Sequence, residues 1–340
     1  MKTLIAAAAA ALLTSGAASA QEVTLRLHHF LAPTAPVQTQ IMEPWAAAVE
    51  EQSGGRIDVQ IFPSMQLGGK PPQLYDQARD GVVDIAWTLL GYTPGRFPVA
   101  EVFELPFVAS NAAATNMALQ DFQAKYLADE LGEVKPLLLH VPAPGKFHLK
   151  THPVTGLADL AGMKIRAPSR TMTDTLNALG ATAVGMPVPE LPQALTTGVI
   201  DGALVPWEVT PSLRLSEITP YHTEFDGPHG MYTSVFALVM NQAKFDSLPD
   251  DLKQVIDDNS GTVLARKAAA VYDQIEADIR QDAIDAGAEV IVIPEADLQP
   301  WKDASQPVTD AWVAAMDKAG HDGAAMLQDA RDMIAAHQAQ

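Results

Sequence analysis

Arg166 stands in the segment Gly162-Met163-Lys164-Ile165-Arg166-Ala167-Pro168-Ser169, whose alternation predicts a short strand with Arg166 at its carboxyl end. Pro168 stops the strand and Ser169 can cap a following helix. A guanidinium is a planar, permanently charged fork that matches a carboxylate, so the chemistry open to this residue is anion binding. The bland alternative is a surface ion pair, and spacing alone supports the two readings equally. Other reactive patterns are incomplete. There is no G-x-S-x-G elbow, no H-E-x-x-H and no G-x-G-x-x-G after a strand. Gly68-Gly69-Lys70 is followed by Pro71 where a phosphate loop needs Ser or Thr. His28 and His29 are adjacent in a predicted strand and point to opposite faces, which disfavours a shared metal. With 41 Asp and Glu, chance carboxylate pairs are certain and none stands out as a catalytic dyad. The absence of cysteine removes disulfides, thiolate catalysis and cysteine-ligated metals. The expectation is therefore no catalytic residue, no metal and no cofactor.

Composition narrows the partners. The 340 residues carry a net charge of −19, which disfavours nucleic acid. Lys2, the apolar run Leu4 to Leu13 and Ala18-Ser19-Ala20 read as an export signal cleaved after Ala20, giving a periplasmic protein. No later stretch is long enough to span a membrane, so direct insertion is not expected. The remaining length suits two domains of about 150 residues each.

The elements that must position Arg166 follow from hydrophobic period and turn residues. Strands are predicted at Val23 to His29, Arg56 to Phe62 and Val82 to Leu89, with helices between them. Val37, Ile41, Trp45 and Val49 mark the first helical face, which Pro44 should kink. This β-α-β-α-β order argues for a parallel sheet with ligand bound beyond the carboxyl ends of its strands. The same grammar recurs over 163–205. Gly81-Val82-Val83-Asp84 and Gly198-Val199-Ile200-Asp201 are twin junctions, each followed by a tryptophan, Trp87 or Trp207. A strand is predicted within Tyr232 to Met240. One long helix is predicted over Asp250 to Ala286, weakened at Asn259-Ser260-Gly261. A late strand at Val290 to Ile293 and helices at Ala296 to Ala319 and Ala324 to Ala336 complete the reading.

Leu160 to Ser169 (LAGMKIRAPS) resembles the signature of the solute-binding subunits of tripartite ATP-independent periplasmic (TRAP) transporters, DctP type. So does Leu195 to Gly202 (LTTGVIDG). Gly54 to Val59, Gln66 to Gly68, Gly81 to Ile85, Leu105 to Phe107, Asn241, Leu248 to Asp250 and Gly287 to Val290 fit in order along the chain. The resemblance implies an α/β, two-lobed periplasmic-binding-protein-like fold. Each lobe would be a mixed, mostly parallel sheet flanked by helices, with a long helix late in the chain. It implies lobe I at 21–143 plus 231–268 and lobe II at 144–230 plus 269–340. It also implies a receptor that closes on a small organic acid and passes it to one small and one large membrane subunit.

By motif position, the ligand-pairing arginine of the family carries over to Arg166. The segment after the aspartate-glycine pair, Ala203 to Glu208, also lines the family's pocket. Phe147 stands near where some members supply a second arginine, and Val205 is apolar where many sugar-acid binders are polar. Ligand contacts are expected from Arg166, Trp207, Trp87, Tyr92, Phe147, Glu208, Phe30, Thr88, Lys146 and His148. Arg166 should come from one lobe and Trp87 with Tyr92 from the other. A single anchor with apolar walls points to a monocarboxylate: a 2-oxo, hydroxy or aromatic acid. A dicarboxylate or sugar acid stays open because Lys146 or His148 could supply a second cation. A periplasmic hydrolase and an ATP-driven importer's binding protein are the competing classes.

Overall fold

The computed structural model describes residues 21–339, so the expected export signal at 1–20 lies outside the described residues. The first sheet contains β1 (Val23–His28), β2 (Ile57–Phe62), β3 (Ile85–Leu89), β4 (Val134–His140) and β10 (Phe236–Asn241), in the order β2-β1-β3-β10-β4. The second contains β5 (Lys146–Leu149), β6 (Lys164–Ala167), β7 (Thr182–Gly185), β8 (Gly202–Val205), β9 (Tyr221–Phe225) and β11 (Glu289–Ile293), in the order β11-β9-β5-β8-β6-β7. Both are mixed. β1 pairs in parallel with β2 and β3, while β10 runs antiparallel to β3 and β4. β6 likewise pairs in parallel with β7 and β8, while β5 runs antiparallel to β8 and β9. Helices cover the sheets, which is why β3 and β8 are buried along their whole length.

The twin junctions are structurally equivalent. Asp84 precedes β3, and its carboxylate accepts a hydrogen bond from the backbone N–H of Arg26 on β1 at 2.8 Å. Asp201 precedes β8 and accepts from the N–H of Lys164 on β6, also at 2.8 Å. In each lobe the aspartate therefore ties its own strand to the parallel neighbour, which aligns the carboxyl ends of both.

Pro44 acts by a specific route. With no N–H to donate, it cannot close an ordinary helical turn. The preceding turn, Val37–Met42, widens into a π-helix in which the Glu43 N–H reaches Gln38 O, and an α-helix follows over Glu43–Gln52. The predicted late helix is two helices, Asp250–Asp258 and Gly261–Asp285. The break is polar: Ser260 Oγ donates to Ile256 O at 2.6 Å, and Asn259 exchanges hydrogen bonds with Gln52. Strands β4, β5 and β9 and the helix Ala112–Tyr126 were not anticipated from sequence.

Three connections link the sheets. Two are extended segments lying side by side, 141–145 and 230–235, with the Gly145 N–H bonded to Tyr232 O at 2.9 Å. A Cβ at Gly145 would fall 2.1 Å from the Tyr232 ring, so only glycine permits this approach. The third is the helix Gly261–Asp285, which packs on β4 and on the turn Trp207–Val209 before leading into β11. The terminal helices divide between the lobes. Gln299–Lys318 packs on the second-lobe helix Arg170–Ala178, whereas Gly323–Gln338 packs on Ala112–Tyr126 beside the first sheet. The sequence-based division instead placed everything from 269 onward with lobe II. Hydrophobic patterning shows that the last helix has an apolar face, but not which lobe receives it.

Candidate functional site

The carboxyl ends of β3, β6 and β8 converge on a narrow cavity between the lobes. Its first-lobe side is Phe30, Leu31, Trp87, Leu89, Tyr92 and Phe236, with Pro142 and Tyr232 from the crossings; Arg166, Val188, Val205, Pro206, Glu208 and Val209 come from the second lobe. The aromatic side is built in layers. Trp87 stacks between Phe30 at 4.9 Å and Phe236 at 4.7 Å, and Tyr92 leans on Phe30 at 5.4 Å. Trp87 Nε1 donates to His140 Nε2 at 2.8 Å, which fixes the indole in place. Burial lowers the His140 pKa to about 3, so the ring is neutral and Nε2 can accept.

Arg166 is 1% exposed. Its Nε donates to Met186 O at 3.0 Å, Nη1 to Leu204 O at 3.1 Å, and Nη2 to Tyr92 Oη at 3.4 Å. A guanidinium has five N–H groups, so one on each terminal nitrogen is left without a partner among the described residues. All three partners are neutral, and no carboxylate lies within ion-pairing distance of the group among the described residues. A buried charge held this way is costly unless something neutralises it. Tyr92 Oη accepts from Arg166 and also from the Val188 N–H at 2.8 Å. Both its lone pairs are then engaged, and its own proton remains to be donated. Burial raises the Tyr92 pKa despite the neighbouring Arg166, so that proton is held. These bonds also join the lobes. Glu101 pairs with Arg170 at 2.7 Å across the same gap, and Gly91 packs against Ser169 so closely that a Cβ would lie 2.5 Å from its side chain. The lobes are closed on each other.

Glu208 is buried, and its Oε2 has no hydrogen-bond partner among the described residues. Burial, followed by the charge of Glu276, raises its pKa to about 8, so at neutral pH it is a carboxylic acid rather than an anion. Glu276 is already engaged by Lys146 and by the Glu208 backbone N–H.

Of the residues expected from sequence, Arg166, Trp87, Tyr92, Phe30 and Glu208 meet at this cavity. The other expected contacts do not. Trp207 turns away because the chain tightens into a 3-10 turn after Pro206, sending Glu208 toward the cavity and the indole into the buried interior of the second lobe. Trp207 Nε1 donates to Glu224 at 2.6 Å, and its ring packs on His148 and His222. Thr88 lies on the opposite face of β3 from Trp87 and Leu89, as strand alternation requires. Phe147 sits in the middle of the second sheet against Phe225 and Trp301. Lys146 is paired with Glu276. His148 is buried, bonded to His222 and Val205 O, and kept neutral mainly by desolvation. Val205 and Pro206, from the expected segment Ala203 to Glu208, also line the cavity, whereas Leu31, Leu89, Pro142, Val188, Val209, Tyr232 and Phe236 were missed. Period two from Trp87 would have found Leu89, and the predicted strand near 232–240 would have offered Phe236. Val188 carries no sequence signal.

The buried groups predict a pH dependence of stability for the ligand-free protein. Glu208 (about 8), Glu104 (about 7) and Glu130 (about 7) have raised pKa values, chiefly through burial. Between the unfolded value of 4.5 and these values the folded state holds more protons, so stability falls as pH rises. His29 (about 4), His140 (about 3) and His222 (about 4) are lowered by burial, so their contribution is lost as pH falls below 6.5. The opposing effects largely cancel between pH 4.5 and 6.5. Above that, only the carboxyls act, at up to about 1.4 kcal/mol per pH unit for each proton. Thermal unfolding should give a lower Tm at pH 8 than at pH 6.5, and Glu208→Gln should flatten that difference. An unchanged slope in the variant would count against a protonated Glu208.

Two lobes shut on a buried cation with aromatic walls around it have the form of a solute receptor. A family model for bacterial extracellular solute-binding proteins, family 7 (DctP), matches residues 27–315, and the chain belongs to this family of TRAP-transporter solute-binding proteins. It is similar to a TRAP solute-binding protein of an unidentified marine metagenome microbe, described as specific for aromatic acid ligands and solved with metahydroxyphenylacetate. The two are 46% identical over 93% of this chain and 99% of that one, with a TM-score of 0.91. A TRAP solute-binding protein of Rhodoferax ferrireducens, solved with copurified benzoate, is 45% identical over 93% of this chain and 98% of its own, with a TM-score of 0.90. A third, from Bordetella bronchiseptica with bound (R)- and (S)-mandelate, is 30% identical over 92% and 98%, with a TM-score of 0.85.

Proposed function

We propose that this receptor takes an aromatic monocarboxylate from the periplasm and delivers it, unchanged, to the small and large membrane subunits of a TRAP transporter. The observation that carries the reading is Arg166: a buried guanidinium with one open N–H on each terminal nitrogen, in a cavity walled by Phe30, Trp87, Tyr92 and Phe236. A carboxylate would take both N–H groups and the Tyr92 proton, and a ring would lie against the aromatic side. A dicarboxylate would need a second cation, and Lys146 and His148 are both engaged elsewhere. A sugar acid would leave its hydroxyls against Val188, Val205 and Val209. The relatives that bind aromatic acids support the same reading. Micromolar affinity corresponds to about −8 kcal/mol, of which a charge-assisted pair to Arg166 supplies about 1.5–3 and ring burial much of the rest.

Calorimetric titration with benzoate, phenylacetate, mandelate, succinate and glucuronate tests this. The three aromatic acids should bind at micromolar or better affinity and be recovered intact. Preference for succinate or glucuronate, or turnover of the bound acid, would overturn the reading.

A further inference from the structure

Glu208 offers a second point of recognition at the same cavity. It is 6% exposed, and its Oε2 is buried with no hydrogen-bond partner among the described residues, which is rare for a buried carboxyl group. The surrounding chain does not satisfy it: its neighbour Glu276 is occupied by Lys146 and by the Glu208 backbone N–H at 3.3 Å. The next residues toward the cavity, Val205, Pro206 and Val209, offer no polar side chain.

We propose that Glu208 reads a hydroxyl group on the ring of the bound acid, making a hydroxylated aromatic monocarboxylate the preferred ligand; this rests on the aromatic-acid reading above. Arg166 and Glu208 both enter from the second lobe, Arg166 on β6 and Glu208 in the turn after β8, so one ligand in the cavity meets both. Held as a neutral acid by burial and by the charge of Glu276, Glu208 can donate through one oxygen and accept through the other. A hydroxyl matches that pair of roles. A second carboxylate would add like charge beside Glu276, and an apolar ring edge would leave Oε2 unpaired.

The test compares benzoate with its 2-, 3- and 4-hydroxy isomers by calorimetry, on the wild type and on Glu208→Gln and Glu208→Leu. At least one isomer should bind the wild type about tenfold or more tightly than benzoate. That ratio should persist in Glu208→Gln, whose amide also donates and accepts, and fall to within about threefold in Glu208→Leu. Should the leucine variant fail to fold, the same ratio is read for Glu208→Met. If benzoate binds but no isomer gains, or if the ratio survives in the apolar variant, this inference fails while the receptor reading stands. If neither benzoate nor any isomer binds, the aromatic-acid reading fails and this one with it.

Discussion

Arg166→Lys is expected to weaken binding of an aromatic carboxylate by about 100-fold or more. An ammonium is a single point of charge and cannot present two parallel N–H groups to one carboxylate. It would also lose the three hydrogen bonds, to Met186 O, Leu204 O and Tyr92 Oη, that aim the fork at the cavity. Removing one partner of a buried, hydrogen-bonded charge pair costs about 2–5 kcal/mol, or roughly 30-fold to several thousand-fold in affinity. Calorimetry on the lysine variant, with circular dichroism to establish folding, gives the answer. Near wild-type affinity would show that the carboxylate is held elsewhere.

Trp87→Ala should damage both the fold and the site. The indole is 3% exposed, stacked on Phe30 and Phe236, and bonded to His140 Nε2. Truncating a buried tryptophan to alanine costs about 3–5 kcal/mol of stability. It would also leave His140 with neither ring nitrogen paired among the described residues, since Nδ1 already lacks a partner there. Ligand affinity should drop with the loss of the ring wall. Trp87→Phe keeps the stacked ring and gives up the hydrogen bond, so its losses should be smaller on both measures. Paired thermal melts and titrations separate the two effects. An alanine variant with unchanged Tm and affinity would contradict the packing described here.

Much of this architecture was legible in the chain because local signals agreed. The twin Gly-x-x-Asp junctions predicted two lobes built alike, and Asp84 and Asp201 do the same work in each. Alternation places Arg166 at a strand's carboxyl end, while its ligand-pairing role comes from the resemblance alone, and the twin junction points to Trp87. Trp207 was misplaced because a sequence twin is not a spatial twin: Pro206 begins a tight turn that reverses which side chain faces inward. Phe147, Lys146 and His148 belong to β5, a strand that the hydrophobic pattern does not reveal. As a central strand, it commits Phe147 and His148 to the packed sheet and leaves Lys146 to Glu276. The last helix shows an apolar face, but long-range packing alone decides that it docks on Ala112–Tyr126.

The close approach of Gly145 to Tyr232 has a mechanical consequence. Two bonded extended segments with no slack between them make a stiff pivot, and the helix Gly261–Asp285, packed on β4 and on the turn Trp207–Val209, adds a third link between the lobes. Separation of the lobes should then occur as a swing about these segments. How long a captured acid stays inside is then governed by the grip of the latch near Tyr92 and Arg166, with no slow rearrangement of the pivot required.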